Sequence, residues 1–247
     1  MRTVDDAGVA VLAAARAMLR KGLVEGTAGN LSARRADGNV VITPSSVDYE
    51  DMTLDDLVVV DLEGTVVSCR EGRAPSSEKA LHLACYRAFD DVGAVIHSHP
   101  VHATMFAVTH RPIPACIDEF AIYVGGDVQV ADYAPSGTDD VGTAAVAALK
   151  DRGAALLANH GMVAVGATPA KALHVTALVE RSAQIVWGAS QLGPIQPLPD
   201  EINERFAQIY GYLRDVTGLD HARAQPECGR QSVIANRVDQ PGNPLGP

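Results

Sequence analysis

The chain has 247 residues, 47% of them apolar, which is enough for one large core or two small ones. Its formal net charge is −10 and it carries no basic run, which argues against nucleic acid and anionic membranes as partners. An anionic small molecule would therefore have to be held by local dipoles rather than by the overall field.

The periodicity predicts a helix over 4–21, with Thr3 as N-cap and Gly22 as its stop. Asp5 and Asp6 precede the apolar stretch, and Arg16 and Arg20 interrupt it. It is neither a signal peptide nor a membrane span. Short strands are predicted over 30–35, 39–43, 57–62 and 65–69, with a hairpin turn from Asp61 to Gly64. A helix over 76–89, opened by Ser76-Ser77, leads to a strand over 93–99 and a helix near 101–109. Asp118-Glu119 falls between an apolar stretch read as a strand and Gly125-Gly126. A strand over 128–132, a helix over 139–151 and a strand ending at His160 follow. Residues 163–165 read as a further strand, and helices are predicted over 169–189 and 200–215.

No repeat or linker divides the chain. The pattern predicts one α/β domain over 1–222, with a largely antiparallel central sheet covered by helices on both faces. Residues 223–247 are poor in apolar side chains and read as a flexible tail. The four cysteines, Cys69, Cys85, Cys116 and Cys228, form no Cys-x-x-Cys pair. That is the usage expected of reduced thiols in a cytoplasmic protein.

Three histidines carry the chemistry. His97 and His99 end an apolar strand and, two residues apart, share a face. His160 ends another apolar run and precedes Gly161. Three neutral imidazoles with an open position describe a catalytic zinc site better than a structural one, although three imidazoles also suit Mn²⁺ or Co²⁺. A lone His-x-His is otherwise an ordinary core or surface feature.

Other segments are ambiguous read alone. Gly26-Thr27-Ala28-Gly29-Asn30 is either a tight turn or a loop that aims its amides at an anion. Thr43-Pro44-Ser45-Ser46 is either an ordinary turn or a set of hydroxyls for a ligand. Ser76 and Ser77 either cap a helix or help its N-terminus bind phosphate. Glu78 is either a solvated first-turn glutamate or a base beside the metal. Asp118-Glu119 is a surface pair or an acid–base candidate.

In this order, Gly26-Thr27-Ala28-Gly29-Asn30, Ile42-Thr43-Pro44, Pro75-Ser76-Ser77-Glu78, His97-Ser98-His99-Pro100 and Asn159-His160-Gly161 resemble the class II aldolase and adducin-like family. The likeness runs from about residue 5 to about 215 and is nearest to the fuculose-phosphate aldolase group. It implies Zn²⁺ on His97, His99 and His160, and Glu78 as catalytic base. It implies a phosphate site from Gly29, Asn30, Thr43, Ser45, Ser76 and Ser77. It also implies a small phosphorylated sugar as substrate, cleaved through a metal-stabilised enediolate. The implied assembly is a homotetramer with active sites at subunit interfaces. Ile209-Tyr210-Gly211 resembles the tyrosine that aldolases lend to a neighbouring subunit; the alternative is a packed aromatic.

Three departures from the family pattern stand out. Ser46 replaces a frequent Gly, the tail is long, and Glu119 occupies the place of a catalytic tyrosine, with Tyr123 four residues away. Glu119 in that place keeps open a dehydratase, decarboxylase or 4-epimerase. A non-catalytic cytoskeletal relative would lack the histidines.

Overall fold

A computed structural model describes residues 6–223, with side chains described through 216. Thr3 and the tail after 223 lie outside the described residues. Eight strands form one sheet: β1 (Asn30–Arg34), β2 (Val40–Ile42), β3 (Val58–Val60), β4 (Val66–Ser68), β5 (Ala94–Ser98), β6 (Val130–Ala131), β7 (Ala154–Leu157) and β8 (Gly161–Gly166). Their order is β4-β3-β2-β1-β5-β8-β7-β6. Every pair is antiparallel except β6 with β7.

The described residues form seven α-helices: α1 (Asp6–Arg20), α2 (Lys79–Ala88), α3 (Val101–Val108), α4 (Asp118–Val124), α5 (Asp139–Leu149), α6 (Pro169–Ala189) and α7 (Asp200–Arg223). Helices α1, α2, α3, α5 and α6 pack on the sheet, α4 packs on α6, and α7 packs on α4. Strand alternation divides the core. Val40, Ile42, Val95, Leu157 and Val163 face α2 and α5. On the other face, Leu31, Val41 and Ile96 pack with α1, while Leu156, Met162 and Ala164 pack with residues of α3, α4 and α6. Each fully buried side chain of this size contributes about 1.5–3 kcal/mol. The α1 stop is as expected: Leu23 N–H bonds Met18 C=O and Gly22 N–H bonds Leu19 C=O, satisfying two end carbonyls.

Besides strand ends that are shorter than expected and a last helix that runs to Arg223 instead of 215, the structure departs from the sequence expectations in three places that bear on candidate residues. The helix expected over 76–89 begins only at Lys79, because Ser76, Ser77 and Glu78 form a turn held by the Lys79 N–H to Ser76 carbonyl bond. The strand expected to reach His160 stops at Leu157. Residues 158–160 are the turn of a β7–β8 hairpin, with Asn159 at φ 55°. Asp118 and Glu119 open helix α4, and the apolar stretch before them gives only an Ile113–Val128 bridge.

Candidate metal and catalytic site

The site lies where β1, β5 and the β7–β8 hairpin meet the start of α2. Cross-strand register places Asn30 opposite His97 and Ser32 opposite Val95. His97 is the penultimate residue of β5, His99 lies just beyond its end, and His160 closes the neighbouring hairpin turn. One ligand nitrogen from each lies within 4.8 Å of the others.

Two glycines allow this approach. A Cβ on Gly29 would come within 2.8 Å of the His97 carbonyl oxygen and of Val24. One on Gly161 would come within 2.5 Å of the His99 ring and the Ser98 carbonyl oxygen. No real Cβ makes such contacts, so the hairpin can press against the histidine strand only with Gly there.

The arrangement of lone pairs shows what the cluster is for. His97 Nδ1 donates to the Met162 carbonyl at 2.9 Å. In a neutral imidazole this leaves Nε2 with a lone pair. That nitrogen faces His99 Nε2 at 2.9 Å and Glu78 Oε2 at 3.1 Å, while Glu78 Oε1 lies 3.4 Å from His160 Nε2. Converging lone pairs repel unless a cation lies among them. Burial first, and then positive charge on neighbours within the cluster, holds His99 at about 4 and His160 below the ordinary histidine value, so these two rings are neutral at neutral pH. The donor set therefore fits a divalent metal ion, and neutral nitrogens suit zinc and several transition ions.

Glu78 is fixed on its far side as well. Oε2 accepts from Asn30 Nδ2 at 2.9 Å and Oε1 from Ser136 Oγ at 2.7 Å. Burial raises its pKa, but positive charge at the His97 side of the cluster, then the donors Ser136 and Asn30, outweigh burial and hold the carboxyl well below the usual range. At neutral pH it is an ionised acceptor beside the metal position.

The expected phosphate residues line the same corner. Thr43 N–H bonds the Leu31 carbonyl and its Oγ1 accepts from Leu31 N–H, so it braces β1. Ser76 N–H bonds the Thr43 carbonyl, and Ser76 Oγ accepts from Glu78 N–H. Ser45 N–H bonds the Ala74 carbonyl, and a Pro44–Pro75 bridge joins the two loops. Ser45 and Ser77 are exposed, while Asn30, Thr43 and Ser76 are buried. Ser46 has φ 58°, a left-handed conformation that Gly adopts without strain.

Glu119 and Tyr210 are not brought to this cluster. Glu119 is exposed on the first turn of α4 and makes no hydrogen bond or ion pair among the described residues. The Tyr210 ring lies against Gly125 of its own chain, close enough that a Cβ there would meet it at 2.5 Å. Sequence reasoning missed Ser136, which looks like part of an ordinary turn before α5. It also missed Tyr49, whose buried hydroxyl donates to the Gly29 carbonyl at 2.7 Å. His82 and Tyr86 were missed as well, although their spacing of four on α2 could have marked a polar helix face.

A three-histidine cluster with an adjacent carboxylate, set in one mixed sheet between helices, defines a metal-dependent enzyme. Residues 9–187 match the model of the Class II Aldolase and Adducin N-terminal domain family. The chain is 40% identical over 197 residues to a 5-methylthioribulose-1-phosphate/5-deoxyribulose-1-phosphate aldolase of Rhodospirillum rubrum, covering 80% of this chain and 87% of that protein. It is 38% identical over 192 residues to an L-fuculose phosphate aldolase of Escherichia coli O6:H1, covering 78% and 86%. A solved L-fuculose 1-phosphate aldolase superposes with a TM-score of 0.79 at 36% identity, covering 83% of this chain and 96% of that one. The chain belongs to the class II aldolase family and is a lyase.

Proposed function

We propose that this protein is a zinc-dependent aldolase that cleaves a small ketose 1-phosphate to dihydroxyacetone phosphate and an aldehyde. L-Fuculose 1-phosphate and a 5-deoxypentulose 1-phosphate are the candidate substrates. The observation that carries the reading is the Glu78 carboxylate, held 3.1 Å from His97 Nε2 beside the three-histidine cluster. Relatives named for both sugar phosphates support the substrate class.

His97, His99 and His160 would hold the zinc ion, which supplies Lewis-acid polarisation of the substrate carbonyl. In the condensation direction Glu78 removes a proton from the carbon beside that carbonyl. In cleavage the C4 hydroxyl releases its proton to solvent as the C3–C4 bond breaks and the aldehyde leaves, and protonated Glu78 delivers a proton to C3. Asn30 and Ser136 keep the carboxylate from turning away. Gly29, Thr43, Ser45, Ser76 and Ser77 bind the phosphate through amides and hydroxyls. The catalytic unit is residues 1–222 with a tail beyond it, working in the cytoplasm as a homotetramer with active sites at subunit interfaces. Among the described residues, no helix is long and apolar enough to cross a membrane.

The test is proton exchange. Zinc-loaded protein incubated with dihydroxyacetone phosphate in D₂O should lose one C3 proton signal stereospecifically by NMR. Glu78→Gln should keep stoichiometric zinc and lose the exchange. Exchange at the wild-type rate in that variant would remove Glu78 as the base. No exchange in zinc-loaded wild type would end the aldolase reading.

A further inference from the structure

Behind Glu78 runs a line of buried polar groups that leads away from the metal position. Asn30 and Ser32 alternate on β1 toward α2, and His82 and Tyr86 stand one turn apart on α2 facing them. His82 and Ser32 are fully buried, and Tyr86 nearly so. The contacts are continuous. Asn30 Oδ1 lies 2.5 Å from His82 Nε2, His82 Nδ1 lies 2.7 Å from Ser32 Oγ, and Ser32 Oγ lies 2.8 Å from Tyr86 OH.

The donors can be assigned from one end. Asn30 Nδ2 faces a carboxylate oxygen at 2.9 Å and must donate. Its Oδ1 is then turned to His82 and must accept, so His82 Nε2 carries the proton. No acid touches His82, and burial pushes it down to about 3, so the ring is neutral. Nδ1 is therefore bare and accepts from Ser32 O–H, and Ser32 Oγ accepts from Tyr86 O–H. Every hydrogen bond in the line runs toward Glu78.

We propose that His82, Ser32 and Tyr86 form a positioning relay that fixes the orientation of the Asn30 amide and, through it, the angle of the Glu78 carboxylate. The inference rests on Glu78 as the base. It assigns roles to three residues that never meet substrate, and it gives Asn30 the task of holding the base as well as lining the phosphate corner. Without His82, Asn30 Oδ1 is a buried acceptor with no donor, and the amide turns to find one. Glu78 then keeps only Ser136 on its far side and swings.

Two measurements on the metal-loaded full chain test this. The first is the ¹⁵N spectrum of histidine-labelled wild type. His82 should show the neutral Nε2–H tautomer throughout about pH 5 to 8, where an ordinary histidine titrates. An Nδ1–H tautomer, or titration in that range, would overturn the relay. The second compares His82→Leu with His82→Gln, whose amide can still donate to Asn30. Misplacing a catalytic group by a fraction of an ångström should lower kcat for 5-deoxyribulose 1-phosphate roughly 10- to 100-fold in His82→Leu. KM and bound metal should stay within about threefold, and His82→Gln should recover most of kcat. Equal kcat in the two variants, or a loss confined to KM, would overturn it. If His82→Leu fails to fold, the tautomer and the milder Tyr86→Phe variant decide, with Tyr86→Phe expected to lower kcat and leave KM unchanged. Inactive wild type with the Nε2–H tautomer would refute the aldolase reading alone, because the tautomer judges the relay without any substrate.

Discussion

Gly26 and Gly29 lie in one loop, both at positive φ, and differ in what surrounds them. Gly26 has φ 56°, and a Cβ added there would have nothing within 4 Å, whereas at Gly29, φ 77°, that carbon would meet the His97 carbonyl oxygen and Val24 at 2.8 Å. Gly26→Ala should therefore cost only the left-handed backbone penalty, about 1–2 kcal/mol. Gly29→Ala adds overpacking against a buried strand, about 1–3 kcal/mol more. For a domain of this size each kcal/mol lowers Tm by about 2–4 °C, so Gly26→Ala should fall by roughly 2–8 °C and Gly29→Ala by roughly 4–20 °C. The displaced atom is the backbone of His97, a proposed metal ligand, so Gly29→Ala should also bind divalent metal more weakly, while Gly26→Ala should not. Thermal unfolding by circular dichroism and metal content after dialysis read both effects. Equal Tm values for the two variants, with metal retained in both, would refute the steric argument.

Three further outcomes follow from the site and its supports. Ser136→Ala removes the donor to Glu78 Oε1; a hydrogen bond to a charged group is worth about 1.5–3 kcal/mol, so kcat should fall about tenfold or more with metal retained. Metal removal by a chelator should lower Tm, and re-addition at about a hundredfold excess over Kd should restore about 2.7 kcal/mol; an unchanged Tm would mean that the three imidazoles hold no ion. Asp56 is held at about 2, first by the Thr53 hydroxyl and backbone N–H, with burial opposing and Arg73 assisting. A depressed carboxyl stabilises the fold above its unfolded value of about 3.8 and loses that contribution as pH falls toward about 2. The Tm gap between wild type and Asp56→Asn should be full at pH 6 and shrink below about pH 4; a gap that does not depend on pH would reject the assignment.

Helices with clear periodicity were legible within a few residues: α1, α5 and α6 lie close to the ranges their sequences predict, while the C-terminal helix starts where expected but runs eight residues past the expected end at 215. The three-histidine cluster was legible because two of its members stand at strand spacing and each follows an apolar run. Two of the boundaries that failed are those the site itself sets. Ser76 to Glu78 has the composition of a helix start, yet the Glu78 carboxylate is drawn toward His97, Asn30 and Ser136, and the helix begins after it. His160 looked like a strand residue because Leu156, Leu157 and Ala158 precede it, but Asn159 takes the left-handed turn conformation that Asn tolerates. Contacts distant in sequence, such as Ser136 with Glu78, leave no local periodicity to read.

The buried polar line explains why this site depends on register as much as on composition. Asn30 and Ser32 read as strand residues with one face polar, which ordinarily means a face turned to water. Here that face is turned to α2, beside Val95, and is buried. A shift of one residue in the β1–β5 pairing would send Leu31 and Ala33 toward α2 and expel Asn30 and Ser32 to the α1 side. His82 and Tyr86 would then face apolar groups with their polar atoms unpaired, and Glu78 would lose its donor. Leaving such groups unsatisfied costs about 1–3 kcal/mol each. The correct register is thus favoured by the same hydrogen bonds that orient the base, and the polar residues in this core select the pairing that places Asn30 opposite His97.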